Sequence, residues 1–126
     1  MKRNESQEDY LESILILSEK QDHVRSIDVV NDLGFKKSSV SVAMKLLREK
    51  NLIEVSPEGY LTLTAEGLKI AESVYERHKI LSKCLMALGV SEEVALEDAC
   101  RIEHDLNEES FQALKKHLAD NERAHK

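Results

Sequence analysis

Apolar residues fall at helical spacing almost from the start of the chain. Between about Glu5 and Lys20, the residues Tyr10, Leu11, Ile14, Leu15 and Leu17 form one stripe and predict a first helix. Ser26 then offers a cap for a short helix with Ile27, Val30 and Leu33 directed inward, and Gly34 supplies a left-handed residue to end it. In "KKSSVSVAMKLLREKNL", Ser38 is the expected cap, with Val40, Ala43, Met44 and Leu47 at helical spacing. The period then shortens to that of strands. Leu52, Ile53 and Val55 lead into the turn "SPEG", and Tyr60 to Leu63 return from it. Two short helices joined by a glycine turn, the second one basic and followed by a hairpin, predict a winged helix-turn-helix.

The second half is helical throughout. Thr64 caps a long helix from Ala65 to about Leu88, striped by Ala71, Val74, Tyr75, His78, Leu81 and Leu85 and stopped by Gly89. Ser91 caps the next helix, Asn107 caps the last, and "NERAHK" is expected to fray. The fold class is therefore mainly α: a winged helix-turn-helix over residues 1–70 and a helical domain over 71–126, on one continuous helical frame.

Composition narrows the class. Hydrophobic content of 41% with charged content of 33%, one Pro and four Gly favours a folded helical protein over a disordered one. No apolar run approaches the roughly 18 residues of a bilayer span, so no membrane association is expected. The start, "MKRNESQEDY", lacks the apolar core of a signal peptide, and the expected location is the cytoplasm. There, Cys84 and Cys100 are read as a core residue and a ligand or sensor.

The net charge of −6 argues against indiscriminate nucleic-acid binding, but the charge is unevenly spread. Lys36 to Lys50 holds five basic residues and one acidic, while Gly89 to Leu114 holds eight acidic and one basic. Groove-reading physics therefore selects Lys36, Lys37, Ser38, Ser39, Ser41, Val42 and Lys45 as candidates to meet double-stranded DNA. Lysines fix register on phosphate, hydroxyls reach phosphates or base edges, and Val42 packs on a thymine methyl. A protein-interaction module with no DNA affinity is the alternative, since winged helices serve both purposes.

The acidic half holds the other chemistry. In "CRIEHDL", Cys100, Glu103 and His104 share one face if the segment is helical. His78 lies on the apolar stripe of the long helix, where a lone histidine is equally a core residue. Asp9 and Glu12 stand at i, i+3 on the first helix, where such pairs are equally solvated. No H-E-x-x-H, Gly-rich phosphate loop or nucleophile–base pair appears, so neither an enzyme nor a small-molecule substrate is expected.

The segments "EDYLESI", "SVSVAMKLLREKNLIE", "YLTLTAEGLKIAESVYERHKIL" and "CRIEHDL", in that order, resemble the diphtheria-toxin-repressor and manganese-transport-regulator family of metal-dependent repressors. The resemblance extends to about Asp120. It implies a winged helix followed by a dimerisation and metal-binding domain, a homodimer, and repression of metal-uptake genes from operator DNA. It also implies a metal site built from Asp9, Glu12, His78, Cys100, Glu103 and His104. Cys100 stands where manganese-type members have glutamate and matches the cysteine of iron-type members. Those iron-type members carry methionine at the position of Asp9 and a histidine at that of Leu96. The expected effector is Fe2+ or Mn2+, with Zn2+ or Co2+ binding in vitro, since thiolate favours softer ions than carboxylate does. Val94, Leu96, Phe111, Leu114 and Leu118 are the candidate dimer contacts. A thiol redox sensor using Cys100, with or without Cys84, is the rival regulatory reading.

Overall fold

The computed structural model describes residues 5–124. The elements run α1 (Glu5–Lys20), α2 (Ser26–Leu33), α3 (Lys37–Glu49), β1 (Ile53–Val55), β2 (Leu61–Leu63), α4 (Ala65–Ala87), α5 (Glu92–Ile102) and α6 (Glu108–Ala124). These form a mainly helical chain with one two-stranded antiparallel hairpin, as the apolar periodicity predicts. Two compact units divide between Ser73 and Val74, inside α4.

The first unit is a winged helix-turn-helix. Its core gathers Leu11 and Ile14 from α1, Val29 from α2, Val40, Met44 and Leu47 from α3, and Ile53 and Leu61 from the hairpin. Each buried aliphatic side chain of this kind contributes about 1.5–3 kcal/mol relative to an exposed one. The strands pair Ile53 with Leu63, Glu54 with Thr62 and Val55 with Leu61. The turn between them closes as "SPEG" requires, Gly59 N–H donating to the Ser56 carbonyl at 2.9 Å. Leu61 N–H donates to the Val24 carbonyl at 2.7 Å and ties the wing to the segment before α2.

Gly34 takes φ +72° after α2, and its N–H donates to the Val30 carbonyl, as expected of a helix-ending glycine. Gly67 has a different role, one of closeness. A Cβ there would lie 1.9 Å from the Leu52 carbonyl oxygen, so only glycine lets the first turn of α4 approach the chain leading into β1. Thr64 completes this junction, accepting from Gly67 N–H at 3.1 Å and donating its hydroxyl to the Asn51 carbonyl at 2.7 Å.

Three local expectations for this unit are corrected. Ile27 is 42% exposed and Val29 is the buried residue of α2, because the helix is turned towards its i+2 position. Ser38 is not a cap: α3 begins at Lys37, and Lys36 precedes it with no side-chain capping bond. At α2, Ser26 lies inside the helix, and Asp28 accepts the Arg25 N–H at 2.8 Å to close its start.

In the second unit, Ser91 accepts from Val94 N–H at 3.4 Å and Asn107 from Glu109 N–H at 2.8 Å, so both expected caps form. Val74, Leu81, Ala95, Ala99, Phe111 and Leu118 are buried. Two of the candidate dimer contacts, Phe111 and Leu118, are therefore committed to the chain's own packing. Val94 and Leu96 are exposed, as are Met86, Leu88 and Ile102. The last helix also runs to Ala124, further than the tail "NERAHK" suggests. Among the described residues no helix is long and apolar enough to cross a membrane.

Candidate metal centre and nucleic-acid face

The segment carrying Cys100, Glu103 and His104 is not one uninterrupted helix. The last residue of α5 is Ile102. Glu103 keeps helical dihedrals, donating its N–H to the Ala99 carbonyl at 2.9 Å. The chain then turns, with Asp105 and Leu106 N–H groups both donating to the Ile102 carbonyl at 3.0 and 3.1 Å. Glu103 and His104 thus occupy a tight turn between α5 and α6, and both are buried, at 0% and 5% exposure. Cys100, one turn earlier on α5, is exposed.

A buried carboxylate and imidazole need polar partners, because desolvating them without compensation costs several kcal/mol. For Glu103 the partner is on α4. His78 Nδ1 lies 2.9 Å from Glu103 Oε2. With Glu103 ionised, the carboxylate only accepts, so Nδ1–H donates and the lone pair of His78 resides on Nε2.

The other carboxylate oxygen, Oε1, is buried and accepts no hydrogen bond among the described residues. Its near neighbour is His104 Nε2 at 3.5 Å. Two ligand atoms each about 2.1 Å from one ion stand roughly 3.0–3.4 Å apart. A buried, unbonded carboxylate oxygen beside an imidazole nitrogen at nearly that separation is a donor pair that fits a divalent cation. His78 behind the carboxylate fits a ligand or the carboxylate's orienting partner.

The structure therefore brings together His78, Glu103 and His104 of the expected set. Asp9 and Glu12 stand one turn apart on α1 in the first unit, both half-buried. Neither Cys84 nor Cys100 is in a disulfide, and burial pushes the Cys84 thiol up, which disfavours its thiolate.

Arg77 is the residue that the sequence reading missed. It is 3% exposed and reaches the turn bearing Glu103 and His104. The signal was present: Val74, Arg77 and Leu81 fall at helical spacing, which places a guanidinium on the apolar stripe of α4.

In the first unit, Lys36, Lys37, Ser38, Ser39, Ser41, Val42 and Lys45 are all exposed, while α3 turns Val40, Met44 and Leu47 inward. Lys45 also lines a recess of about 240 Å³ with Arg48, Ser26 and Ser41 at its polar side and Met44, Val55 and Leu61 at its apolar side. Beside the wing, the His23 ring stacks on Tyr60 at 4.2 Å and the Arg25 guanidinium lies over the same ring at 4.9 Å. Arg25 and Ser26 were not read as neighbours of the basic helix because they lie before and at the start of α2, and Arg48 was counted among the charges of α3 without being chosen as a contact.

Comparison with known proteins agrees with both units. The model of the iron dependent repressor N-terminal DNA binding domain matches residues 3–61. The model of the iron dependent repressor metal binding and dimerisation domain matches residues 64–125. The transcriptional regulator MntR of Escherichia coli O157:H7 is 38% identical over 113 residues, spanning 90% of this chain and 73% of that protein. Among solved structures, the manganese regulator SloR superposes with a TM-score of 0.80 at 27% identity, over 94% of this chain and 55% of that one. A manganese-dependent transcriptional repressor in complex with manganese gives 0.83 at 26% identity, over 90% and 52% respectively. The chain spans about half the length of these two solved proteins. It belongs to the iron-dependent repressor family of metal-dependent, DNA-binding transcriptional regulators.

Proposed function

We propose that the chain is a metal-responsive repressor whose homodimer binds operator DNA when Fe2+ or Mn2+ is held by residues of the second unit and of α1. The carrying observation is the buried Glu103 carboxylate, bonded on one oxygen to His78 and facing His104 with the other. Glu103 and His104 supply carboxylate and imidazole donors, and His78 supplies a third donor or holds Glu103 in orientation. Cys100, Asp9 and Glu12 complete the proposed ligand set. A bound divalent ion supplies the positive charge that a buried acidic cluster otherwise lacks.

The DNA side of the proposal rests on exposed chemistry. Lys36, Lys37 and Lys45 neutralise phosphates, Ser38, Ser39 and Ser41 bond to phosphates or base edges, and Val42 offers an apolar contact. Operator recognition by two copies requires two α3 helices at the spacing of successive major grooves. Because metal binding favours the conformation with that spacing, metal and operator stabilise the same state. Exposed Val94 and Leu96 are the proposed dimer contacts. Repression of metal-uptake genes in the cytoplasm follows as the cellular role, and carboxylate and imidazole donors suit Mn2+ while the thiolate of Cys100 draws preference towards Fe2+.

The test is an operator gel shift with Mn2+ or Fe2+ against the same titration in chelator. Tight binding only with metal supports the proposal, and equal affinity in chelator contradicts it. Binding that ignores chelator and responds to oxidant would point to the thiol of Cys100 instead.

A further inference from the structure

We propose that Arg77 is a positioning residue that pre-forms the turn bearing Glu103 and His104 before any metal arrives. The inference rests on the reading of that turn as part of the metal centre.

The ending of α5 creates the need. Past Ile102 the helical ladder stops, and carbonyls in the turn lose their intrahelical donors while Glu103 and His104 are buried. Two of these, Glu103 and Leu106, bracket His104 and Asp105. Arg77 Nη1 donates to both, at 3.3 Å to Glu103 O and 2.5 Å to Leu106 O. Nη2 donates to Glu108 Oε2 at 2.6 Å, and the guanidinium lies over the Phe111 ring at 5.1 Å.

The neighbouring residue on α4 does the complementary task. His78 holds the Glu103 side chain by one oxygen, while Arg77 holds its backbone. Consecutive residues of one rigid helix thus fix the backbone and the carboxylate of the same candidate ligand. A planar guanidinium suits this because one side chain presents several donors at fixed angles, which an ammonium on a flexible stem does not. Glu108 is 63% exposed, so its ion pair is screened by water and the two carbonyl bonds carry the positioning.

The prediction concerns precision of placement, not bulk stability. Arg77→Lys keeps the charge and loses the fork, and it should weaken Mn2+ binding by about 10–100-fold, the range for outer partners of metal ligands. Glu108→Gln leaves both carbonyl bonds and should change Mn2+ affinity by less than about threefold. A second readout needs no metal. In the metal-free wild type, the Asp105 and Leu106 amides should be protected from hydrogen exchange, and in Arg77→Lys they should exchange about tenfold faster while amides of α6 are unaffected.

A folded Arg77→Lys that binds Mn2+ within about twofold of wild type would overturn the proposal. So would a Glu108→Gln loss as large as that of Arg77→Lys. If the lysine variant does not fold, the wild-type exchange decides: unprotected Asp105 and Leu106 amides without metal contradict a pre-formed turn. Failure of the wild type to bind Mn2+ or Fe2+ would sink the functional reading instead, and the exchange measurement would still report on Arg77.

Discussion

The two units put their chemistry on opposite sides of their packing. In the first, the core is chiefly aliphatic, and the candidate DNA contacts stand outside it on a helix held by Val40, Met44 and Leu47. Ser13 and Glu8 are exceptions inside, and Ser13 donates to Asp32 at 2.7 Å. In the second, the interior itself holds the candidate metal site: Arg77, Glu103 and His104 are all buried. A surface built for phosphate can change without disturbing the fold beneath it. A buried polar cluster cannot, because each member removed leaves another unsatisfied.

The largest expected effect is therefore inside the second unit. Glu103→Gln should lower metal affinity more than about 100-fold, beyond the loss expected for an outer partner, as measured by metal titration. Operator affinity in chelator should not change. A Glu103→Gln protein that still binds operator only with metal would break the contrast between the units.

Core packing comes next. Leu11→Ala in the first unit should cost about 2–5 kcal/mol in urea unfolding, since the side chain is fully buried. Ile27→Ala on the neighbouring helix should cost about 1 kcal/mol or less, since that residue is 42% exposed. Equal costs would mean that the stripe of α2 is turned as its sequence suggests, not as the structure has it.

A smaller and more selective effect belongs to the surface. Lys45→Ala should weaken operator binding and reduce the salt slope of log K by about 1, with metal affinity unchanged. A change in metal affinity without one in salt slope would place Lys45 outside the phosphate contacts.

The smallest effect is at the wing. The Glu58 carboxyl is held below the usual carboxylate range by its own backbone N–H and then by the Ser56 hydroxyl. A carboxyl with a lowered folded pKa adds stability above its unfolded value, and that stability is lost as pH falls through the folded value. Glu58→Gln should therefore flatten the acid limb of the wing's stability, read by hydrogen exchange of the hairpin amides between about pH 5 and 3. No change in that limb would remove Glu58 from the turn.

Legibility followed the same division. Periodicity located every helix, and the hairpin turn was written in Pro57 and Gly59. The caps at Thr64, Ser91 and Asn107 were readable because each precedes a clear apolar period. Ser38 misled because a serine before an apolar stripe looks the same whether it caps the helix or lies in its first turn. Phe111 and Leu118 misled because an apolar stripe does not say whether its partner is the same chain or a second copy. Gly67 and Arg77 depend on what another segment brings close, a carbonyl in one case and a turn in the other. In the candidate metal centre, the approach of His78, Glu103 and His104 agrees with the sequence reading, but the break in helix after Ile102 was not legible. The carbonyls freed by that break accept from Arg77, 26 and 29 residues away in sequence.

The central claim is that metal at the buried cluster and DNA at the exposed helix stabilise one state. Linkage makes that claim reciprocal: the factors by which operator tightens the metal sites of the dimer must multiply to the factor by which saturating metal tightens operator binding. The direct measurement is the Mn2+ dissociation constant of the wild-type protein with and without saturating operator duplex. The account predicts a fall at each site of the dimer, the falls multiplying to the gain in operator affinity produced by Mn2+, and a dissociation constant unmoved by operator would contradict it.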